Sequence, residues 1–347
     1  MAARRRKPDA RAAGPAGSPG AGRGTAAVPA ASGLDAALPV VAVADGVEYT
    51  GILRTATHHP FVGFLGVVLG IASFFTFTPL VTQLLVGAFW LATGRQGTFA
   101  ETYAALLRYE HPFGMIAAQL GIAMLIPISL ALLRFVHRVR PGYVFSVTGR
   151  LRWGPLGVFL GVALVSLNAV LWLTNALLGR TYTLSPQPGL LAFLVAILLT
   201  SPLQVAAEEI FFRGYLLLAL GSQVPIKWFG IVASAFVFAL FHGTQNPWLF
   251  GSRFAFGVLA AVLVVYVGGL EAGIAAHVIN NVFAFVYAGL TTGIDELKAI
   301  REITPVDAVG EIVMYAVFTV IALLVARRLG LETRTAASGL VRAQGVG

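Results

Sequence analysis

Two adjacent glutamates and an arginine, Glu208, Glu209 and Arg213, stand in the apolar stretch AAEEIFFRGYLLLAL. A charged side chain inside a bilayer costs a few kcal/mol even on the lenient insertion scale, so each charge needs compensation. Glu209 and Arg213 are four residues apart, with the acid on the N-terminal side, which favours an ion pair on one helix face. Glu208 is about 100° round the helix and has no such partner. We therefore predict that Glu208 faces the bundle interior and exchanges protons.

Two further motifs place polar side chains in apolar surroundings. His242 ends the stretch SAFVFALFHG one turn after Phe238, and His277 lies four residues before Asn281 in AAHVINNVFAF. An imidazole can act as donor, acceptor or ligand, and a carboxamide can donate to an oxyanion. The simpler interpretations are a packing role for His242 and helix–helix hydrogen bonds for His277 and Asn281.

The three clusters fall in one half of the chain, and the apolar segments before residue 189 contain nothing comparable. We therefore predict one shared site rather than three separate ones. A glutamate, two histidines and an amide are sufficient to activate water and stabilise an oxyanion, as hydrolysis of a peptide bond requires. The resulting hypothesis is an intramembrane hydrolase.

These motifs together resemble the signature of a known family. Glu208-Glu209-x-x-x-Arg213, Phe238-x-x-x-His242 and His277-x-x-x-Asn281 are similar in type, order and spacing to the motifs of the CPBP family. That family comprises the CAAX prenyl endopeptidases and the bacteriocin-processing or immunity proteins, also called Abi proteins. The resemblance covers about residues 150–326.

The resemblance implies a role for each motif residue. Glu208 looks like the general base, with His242 helping to activate the attacking water. His277 and Asn281 look like the groups that orient or stabilise the oxyanion. The remaining positions look like a structural ion pair and the motif aromatic: Glu209, Arg213 and Phe238.

Metal dependence stays open at this level. Glu208, His242 and His277 could supply a two-histidine, one-carboxylate zinc site with an open water position. The same residues could work without a metal, because a carboxylate can activate water by itself and Asn281 is a poor zinc ligand. We favour no cofactor, with zinc as the alternative.

The amino-acid composition restricts the possible classes of protein. Hydrophobic residues make up 57% of the 347 positions and charged residues 11%, which nearly excludes a water-soluble protein. The absence of cysteine rules out disulfides and thiolate sites. The net charge of +9 comes mostly from tails and one loop beside apolar segments, so we expect no nucleic-acid partner. The expected partners are membrane lipids and a peptide or membrane-protein substrate.

The predicted fold is all-α, a polytopic transmembrane bundle of about eight helices with a core like that of the CAAX prenyl endopeptidases. The candidate spans are 61–92, 113–133, 153–178, 189–220, 226–242, 254–267, 270–292 and 308–326. Two spans are irregular, since 189–220 exceeds one crossing and 254–267 is short. Broken helices in membranes usually line a cavity buried in protein.

Four regions are expected along the chain: a disordered basic tail (1–55), N-terminal membrane helices (56–150), the protease-like core (151–330) and a disordered basic tail (331–347). With the N-terminus inside, 17 Lys and Arg residues fall on the inner side and six on the outer side. The positive-inside rule thus predicts a multi-pass protein of the cytoplasmic membrane with both termini cytoplasmic.

Two other interpretations compete with the hydrolase. A proton-coupled transporter could use Glu208, His242 and His277 as a relay, and an immunity or scaffold protein could keep the fold without activity. Straight helices would place these residues about 18, 24 and 10 Å from the inner ends at 1.5 Å per residue. A shared site therefore requires tilt or different helix boundaries.

Overall fold

The computed structural model describes residues 39–336, and the two predicted tails lie mostly outside this range. Ten helices make up the described part of the chain, together with short 3₁₀ turns and two isolated β-bridges. We number them in chain order: α1 Pro60–Ala92, α2 Phe99–Leu107, α3 Pro112–Val136, α4 Trp153–Leu177, α5 Leu190–Gly221, α6 Lys227–Leu240, α7 Pro247–Val267, α8 Glu271–Leu290, α9 Ile294–Ala299 and α10 Pro305–Arg328.

Seven of these helices, all except α2, α6 and α9, are long and apolar enough to cross a membrane. Large apolar side chains on their outer faces are exposed, including Phe61, Leu84, Val165 and Leu191. An exposed apolar belt of this extent is suited to lipid rather than to water. The prediction of a polytopic all-α membrane protein is confirmed.

Two predicted spans differ from the structure in length. The span predicted at 254–267 belongs to the full-length helix α7, because Asn246 caps a helix that begins at Pro247. The span predicted at 226–242 corresponds to α6, whose 14 residues are fewer than the about 20 that a crossing helix needs.

Helix α6 nevertheless connects the two ends of the bundle. At its start, Lys227 lies 3.7 Å from Glu48, beside the first described residues. Just beyond its end, the Asn246 side chain donates to the Ile303 carbonyl, next to the start of α10. Helix α10 runs back from there, and Arg334, six residues after its end, forms an ion pair with Glu48. The two ends of the described chain therefore meet at one end of the bundle. We call this the terminal end and the other the distal end.

The predicted disordered segment 1–55 is wrong over residues 39–55. Tyr49, Ile52 and Leu53 are buried, and the Tyr49 hydroxyl donates to the Val144 carbonyl. At the other chain end, Thr335 is also buried and donates to the Ala44 carbonyl. These segments close the terminal end of the bundle, so they belong to the folded body. The prediction for residues 1–38 and 337–347 lies outside the described residues.

The helices before residue 150 pack against α5, which carries the glutamates. Gly66 of α1 faces Tyr215, and a Cβ at Gly66 would lie 2.3 Å from the Tyr215 hydroxyl, so only glycine allows this approach. On the neighbouring side, the Gln119 amide of α3 donates to Ser201 over 2.9 Å. The N-terminal helices therefore help to fix the position of α5.

Candidate active site

Helix α5 changes its winding where the charged motif begins. Its first part is an α-helix to Glu208, and Glu209–Leu216 forms a π-helical segment in which every residue is buried. Segments of this kind occur frequently at functional sites because they re-aim side chains within a continuous helix. Gly214 permits the close approach of Val144, whose Cγ2 would lie 2.7 Å from an added Cβ. The winding thus places Glu209 and Arg213 toward the core.

Glu209 lies at the centre of the cluster and is fully buried. Its Oε1 accepts from Arg213 Nη1 over 2.9 Å and from His277 Nδ1 over 2.8 Å. The expected ion pair with Arg213 is present. The contact with His277 was not anticipated, and it gives Glu209 a second role, since it fixes the ring orientation of the imidazole.

Arg213 is buried beneath aromatic rings. Its guanidinium carbon lies 3.7 Å from the ring centroid of Phe238 and 4.9 Å from that of Phe256. Such cation–π contacts are worth about 2 kcal/mol or more when desolvated. Arg213 Nε and Nη2 and Glu209 Oε2 have no partner among the described residues. The pair therefore retains hydrogen-bonding capacity in a buried place.

Glu208 faces the other nitrogen of the same imidazole. Its Oε2 lies 3.6 Å from His277 Nε2, and its side chain is 12% exposed, whereas that of Glu209 is completely buried. Its Oε1 accepts from the Gln204 amide over 2.5 Å, one turn earlier on α5. Glu208 is thus the less buried of the two carboxylates, and it has a local partner in Gln204.

His242 also packs against the motif aromatic, Phe238. The ring centroids of His242 and His277 lie 4.5 Å and 6.2 Å from that of Phe238, both edge to face. His242 Nδ1 donates to the Phe238 carbonyl over 2.8 Å, so its Nε2 keeps a free lone pair. Phe238 therefore joins the second and third motifs, as a shared site requires.

Asn281 lies one turn beyond His277 on α8. Its Oδ1 accepts from the Asn280 amide over 3.2 Å. With the oxygen occupied in this way, the Asn281 NH₂ group remains available as a donor. Both asparagines are partly exposed, in contrast to the buried His277.

The possible zinc site was tested against this geometry. Within residues 39–336, no group of three His, Asp or Glu side chains is arranged to hold a metal ion. Glu208 and His277 lie together, whereas the contact made by His242 is with the Phe238 ring, edge to face. The three residues as placed do not form the tetrahedral ligand set of zinc.

Two contributors to the site were missed by the sequence analysis. Gln204 lies among apolar residues on α5, and its i,i+4 spacing to Glu208 could have drawn attention to it. Phe256 of α7 lies 4.9 Å from His277, ring to ring. A phenylalanine in an apolar helix gives no hint of such a contact. A separate cavity of about 530 Å³ lies between α4 and α10 and includes none of the predicted site residues.

Together the fold and this cluster define a polytopic helical membrane protein with a buried glutamate–histidine–glutamate site. Residues 188–283, which include every motif residue, match the family described as type II CAAX prenyl endopeptidase Rce1-like. The chain thus contains an Rce1-like domain, in agreement with the resemblance to the CPBP family, and this is a family of membrane endopeptidases.

Comparison with curated proteins gives one partial relative. The uncharacterized protein YyaK of Bacillus subtilis (strain 168) is 32% identical over 97 residues, which are 26% of this chain and 32% of that protein. The chain therefore spans about a third of the length of this relative. No solved structure matches the chain significantly.

Proposed function

We propose that this protein is an intramembrane endopeptidase in which Glu208 activates water to hydrolyse a peptide bond. The observation that carries the proposal is the arrangement of Glu208, His277 and Glu209, in which one imidazole lies between two carboxylates of different exposure. Environments that separate two carboxylates in this way assign them different roles. Glu209 orients the imidazole of His277, and Glu208 is available to activate water.

The charges of the cluster favour a mobile proton at this position. Two carboxylates and one guanidinium in an apolar interior leave one negative charge uncompensated. A single proton carried by Glu208 or His277 makes the cluster neutral. The Nε2–Oε2 distance of 3.6 Å is longer than a hydrogen bond, so a shift of about 0.5 Å would bring the two groups within reach for direct proton transfer.

In the proposed reaction, Glu208 takes a proton from water while the water oxygen bonds to the substrate carbonyl carbon. His242 Nε2, with its free lone pair, assists in holding the water. The NH₂ group of Asn281 and the Nε2 face of His277 stabilise the oxyanion. The proton then passes to the leaving nitrogen as the C–N bond breaks, giving a carboxylate and an amine. These steps need no metal.

The test compares membrane and secreted peptides from cells that carry the native protein, Glu208→Gln or the control Glu110→Gln. Glu110 is exposed and pairs with Arg108 outside the site. We expect peptide products to disappear with Glu208→Gln only, at equal protein abundance. If Glu208→Gln left every product unchanged, the endopeptidase proposal would fail. A change in ion or solute flux without any change in peptides would favour the transporter.

We also propose that the protein lies in the cytoplasmic membrane with both termini cytoplasmic, on the basis of the 17-to-six distribution of Lys and Arg. Since the chain has no cysteine, single cysteines can be introduced without background. A membrane-impermeant maleimide should label Lys298→Cys in intact cells and should label Arg334→Cys only after lysis. The reverse pattern would overturn the orientation.

A further inference from the structure

The exposure of α8 changes abruptly along its length. Every residue from Glu271 to His277 is buried, and every residue from 278 to 287 is partly exposed. Helix α8 starts at the terminal end, where Leu270 N donates to the Phe145 carbonyl, and continues toward the distal end. The part of α8 beyond His277, toward the distal end, is therefore more exposed than its start, whereas the segments around Tyr49 close the terminal end.

A connected group of polar side chains lies at the distal end, beside the more exposed part of α8. We define the distal rim as Tyr109, Gln245, Asn246, Arg253, Lys298 and Arg301. Arg253 donates to Gln245 over 2.7 Å, and the next backbone amide, that of Asn246, donates to the Arg301 carbonyl. The Lys298 ammonium lies 5.0 Å from the Tyr109 ring centroid.

Aromatic residues of α7 and α8 lie between the rim and the candidate site. Arg253 lies three residues before Phe256, the ring that contacts His277. Tyr109 lies 6.3 Å from Phe285, ring to ring, two turns beyond His277 on α8. The charges of Arg253 and Lys298 also interact with that of Glu208, so a substrate bound at Glu208 lies within the electrostatic reach of the rim.

These three cations form no ion pair within the described part of the chain. The side chains of Arg253, Lys298 and Arg301 contact an amide, an aromatic ring and backbone carbonyls, respectively. Glu311 acts on Arg253 through its charge, but its carboxylate accepts a hydrogen bond from Ser252. The exposed acids of the adjoining loop, Asp295, Glu296 and Glu302, are likewise unpaired with them.

The Lys298 ammonium is affected both by removal from water and by the neighbouring arginines. Partial removal from water over the Tyr109 ring lowers the pKa of Lys298, repulsion from Arg301 and Arg253 lowers it further, and attraction to Glu208 opposes the effect. The rest of the Lys298 residue is exposed. Grouped like charges of this kind are unfavourable by themselves and become favourable when an anion binds between them.

We propose that the distal rim, through Arg253, Lys298 and Arg301, binds a carboxylate of the substrate and so selects peptides that carry negative charge near the bond to be cleaved. The carboxylate belongs either to an Asp or Glu side chain or to the chain terminus. This inference rests on the proposed endopeptidase function, and it extends that function to a substrate class.

The test measures peptide binding to the purified full-length chain in nanodiscs by fluorescence polarisation. Four Ala/Leu heptapeptides with a neutral BODIPY label carry a central Glu or Gln and end in a free acid or an amide. The rim variant is Lys298→Gln/Arg301→Gln, and the control variant is Arg95→Gln/Arg108→Gln. The control removes the same charge from exposed positions at the distal end but outside the rim. Both pairs of residues are exposed, so folding should be retained.

We expect the charged peptides to bind the native chain about tenfold more tightly than the neutral Gln amide peptide, at low salt. The rim variant should lose this preference, and the control variant should keep it. Preference for the Glu amide peptide would identify a side-chain carboxylate, and preference for the Gln acid peptide a chain terminus. Equal binding of all four peptides, no binding at millimolar concentration, or equal loss in the control variant would overturn the inference.

In this design, the result for peptide binding and the result for cleavage can contradict their proposals separately. If Glu208→Gln retained peptide cleavage but the charge preference held, the proposed chemistry would be wrong and the distal rim would stand. If Glu208→Gln abolished cleavage but neutral peptides bound equally well, the chemistry would stand and the distal rim would be wrong.

Discussion

Two buried arginine–glutamate pairs in this bundle differ in how completely they are hydrogen-bonded. Arg152 and Glu271, where α8 begins, form a two-pronged pair with contacts of 2.9 and 2.7 Å. Arg152 also donates to the Val267 and Glu332 carbonyls. In the candidate site, by contrast, Arg213 makes one contact with Glu209 and leaves Nε and Nη2 without partners.

We propose that this difference separates a purely structural ion pair from one that supports the candidate site. The Arg152–Glu271 pair links α4, α8 and the C-terminal segment, and each of its side-chain nitrogen and oxygen atoms has a hydrogen-bond partner. A buried ion pair needs such complete bonding to offset its desolvation. The Arg213 pair rests on aromatic rings and shares its carboxylate with His277. Incomplete pairing in a buried place is a mark of sites that act on a ligand.

The largest effect is expected at the fully bonded pair. Arg152→Met leaves the Glu271 charge buried without compensation, which should lower the free energy of unfolding by about 3–5 kcal/mol. The measurement is an unfolding titration in detergent. Arg150→Met is the matched control, because Arg150 lies two residues away, is exposed and forms no ion pair within residues 39–336. A loss below about 1 kcal/mol would remove the contrast between the pairs.

A smaller effect, on activity rather than stability, is expected at the site pair. Glu209→Gln keeps the side-chain volume but weakens the hold on His277 Nδ1. Partners that orient metal-bound histidines cost about 10- to 100-fold when removed, and we expect a similar fall in cleavage per folded molecule. Glu271→Gln, as the comparison, should reduce folded protein more than specific activity. The opposite ranking would contradict the assignment of roles.

The smallest effect concerns the approach of α8 to Glu209. A Cβ at Gly273 would lie 3.1 Å from Glu209 Oε2, so the carboxylate must shift by a few tenths of an ångström. We expect Gly273→Ala to lower cleavage about threefold to tenfold. Gly251→Ala is the control, since nothing lies within 4 Å of its Cβ. Unchanged cleavage in Gly273→Ala would show that the position of Glu209 is not critical.

Much of the fold could be predicted because lipid imposes a strong and local constraint. Apolar stretches of sufficient length marked six of the seven candidate crossing helices, and a shorter stretch marked part of the seventh, α7. The start of α7 was misjudged because Arg253 lowered the apparent hydropathy of a helix that begins at Pro247. The burial of Tyr49 and Thr335 was missed because it depends on contacts between the two chain ends.

The site was predicted in part, for a reason that lies in its spacing. Glu209 and Arg213 are helical neighbours, so their ion pair follows from a local rule. The estimated depths of Glu208 and His277 disagreed, yet the side chains lie 3.6 Å apart. Helix α5 has 32 residues, about 48 Å at 1.5 Å per residue, and cannot stand upright within one bilayer core of about 30 Å. Depth counted along straight helices was therefore a poor guide.

By itself the sequence determined that the protein resides in a membrane and that its polar motifs belong together, because hydropathy and i,i+4 spacing are properties of short segments. Only the tertiary structure decided what each charge does. Glu209 became the holder of His277, Glu208 the accessible carboxylate, and Arg152 the partner of Glu271. The physical reason is that burial, hydrogen-bond saturation and charge compensation all depend on residues that are distant in the chain and meet only when the helices pack.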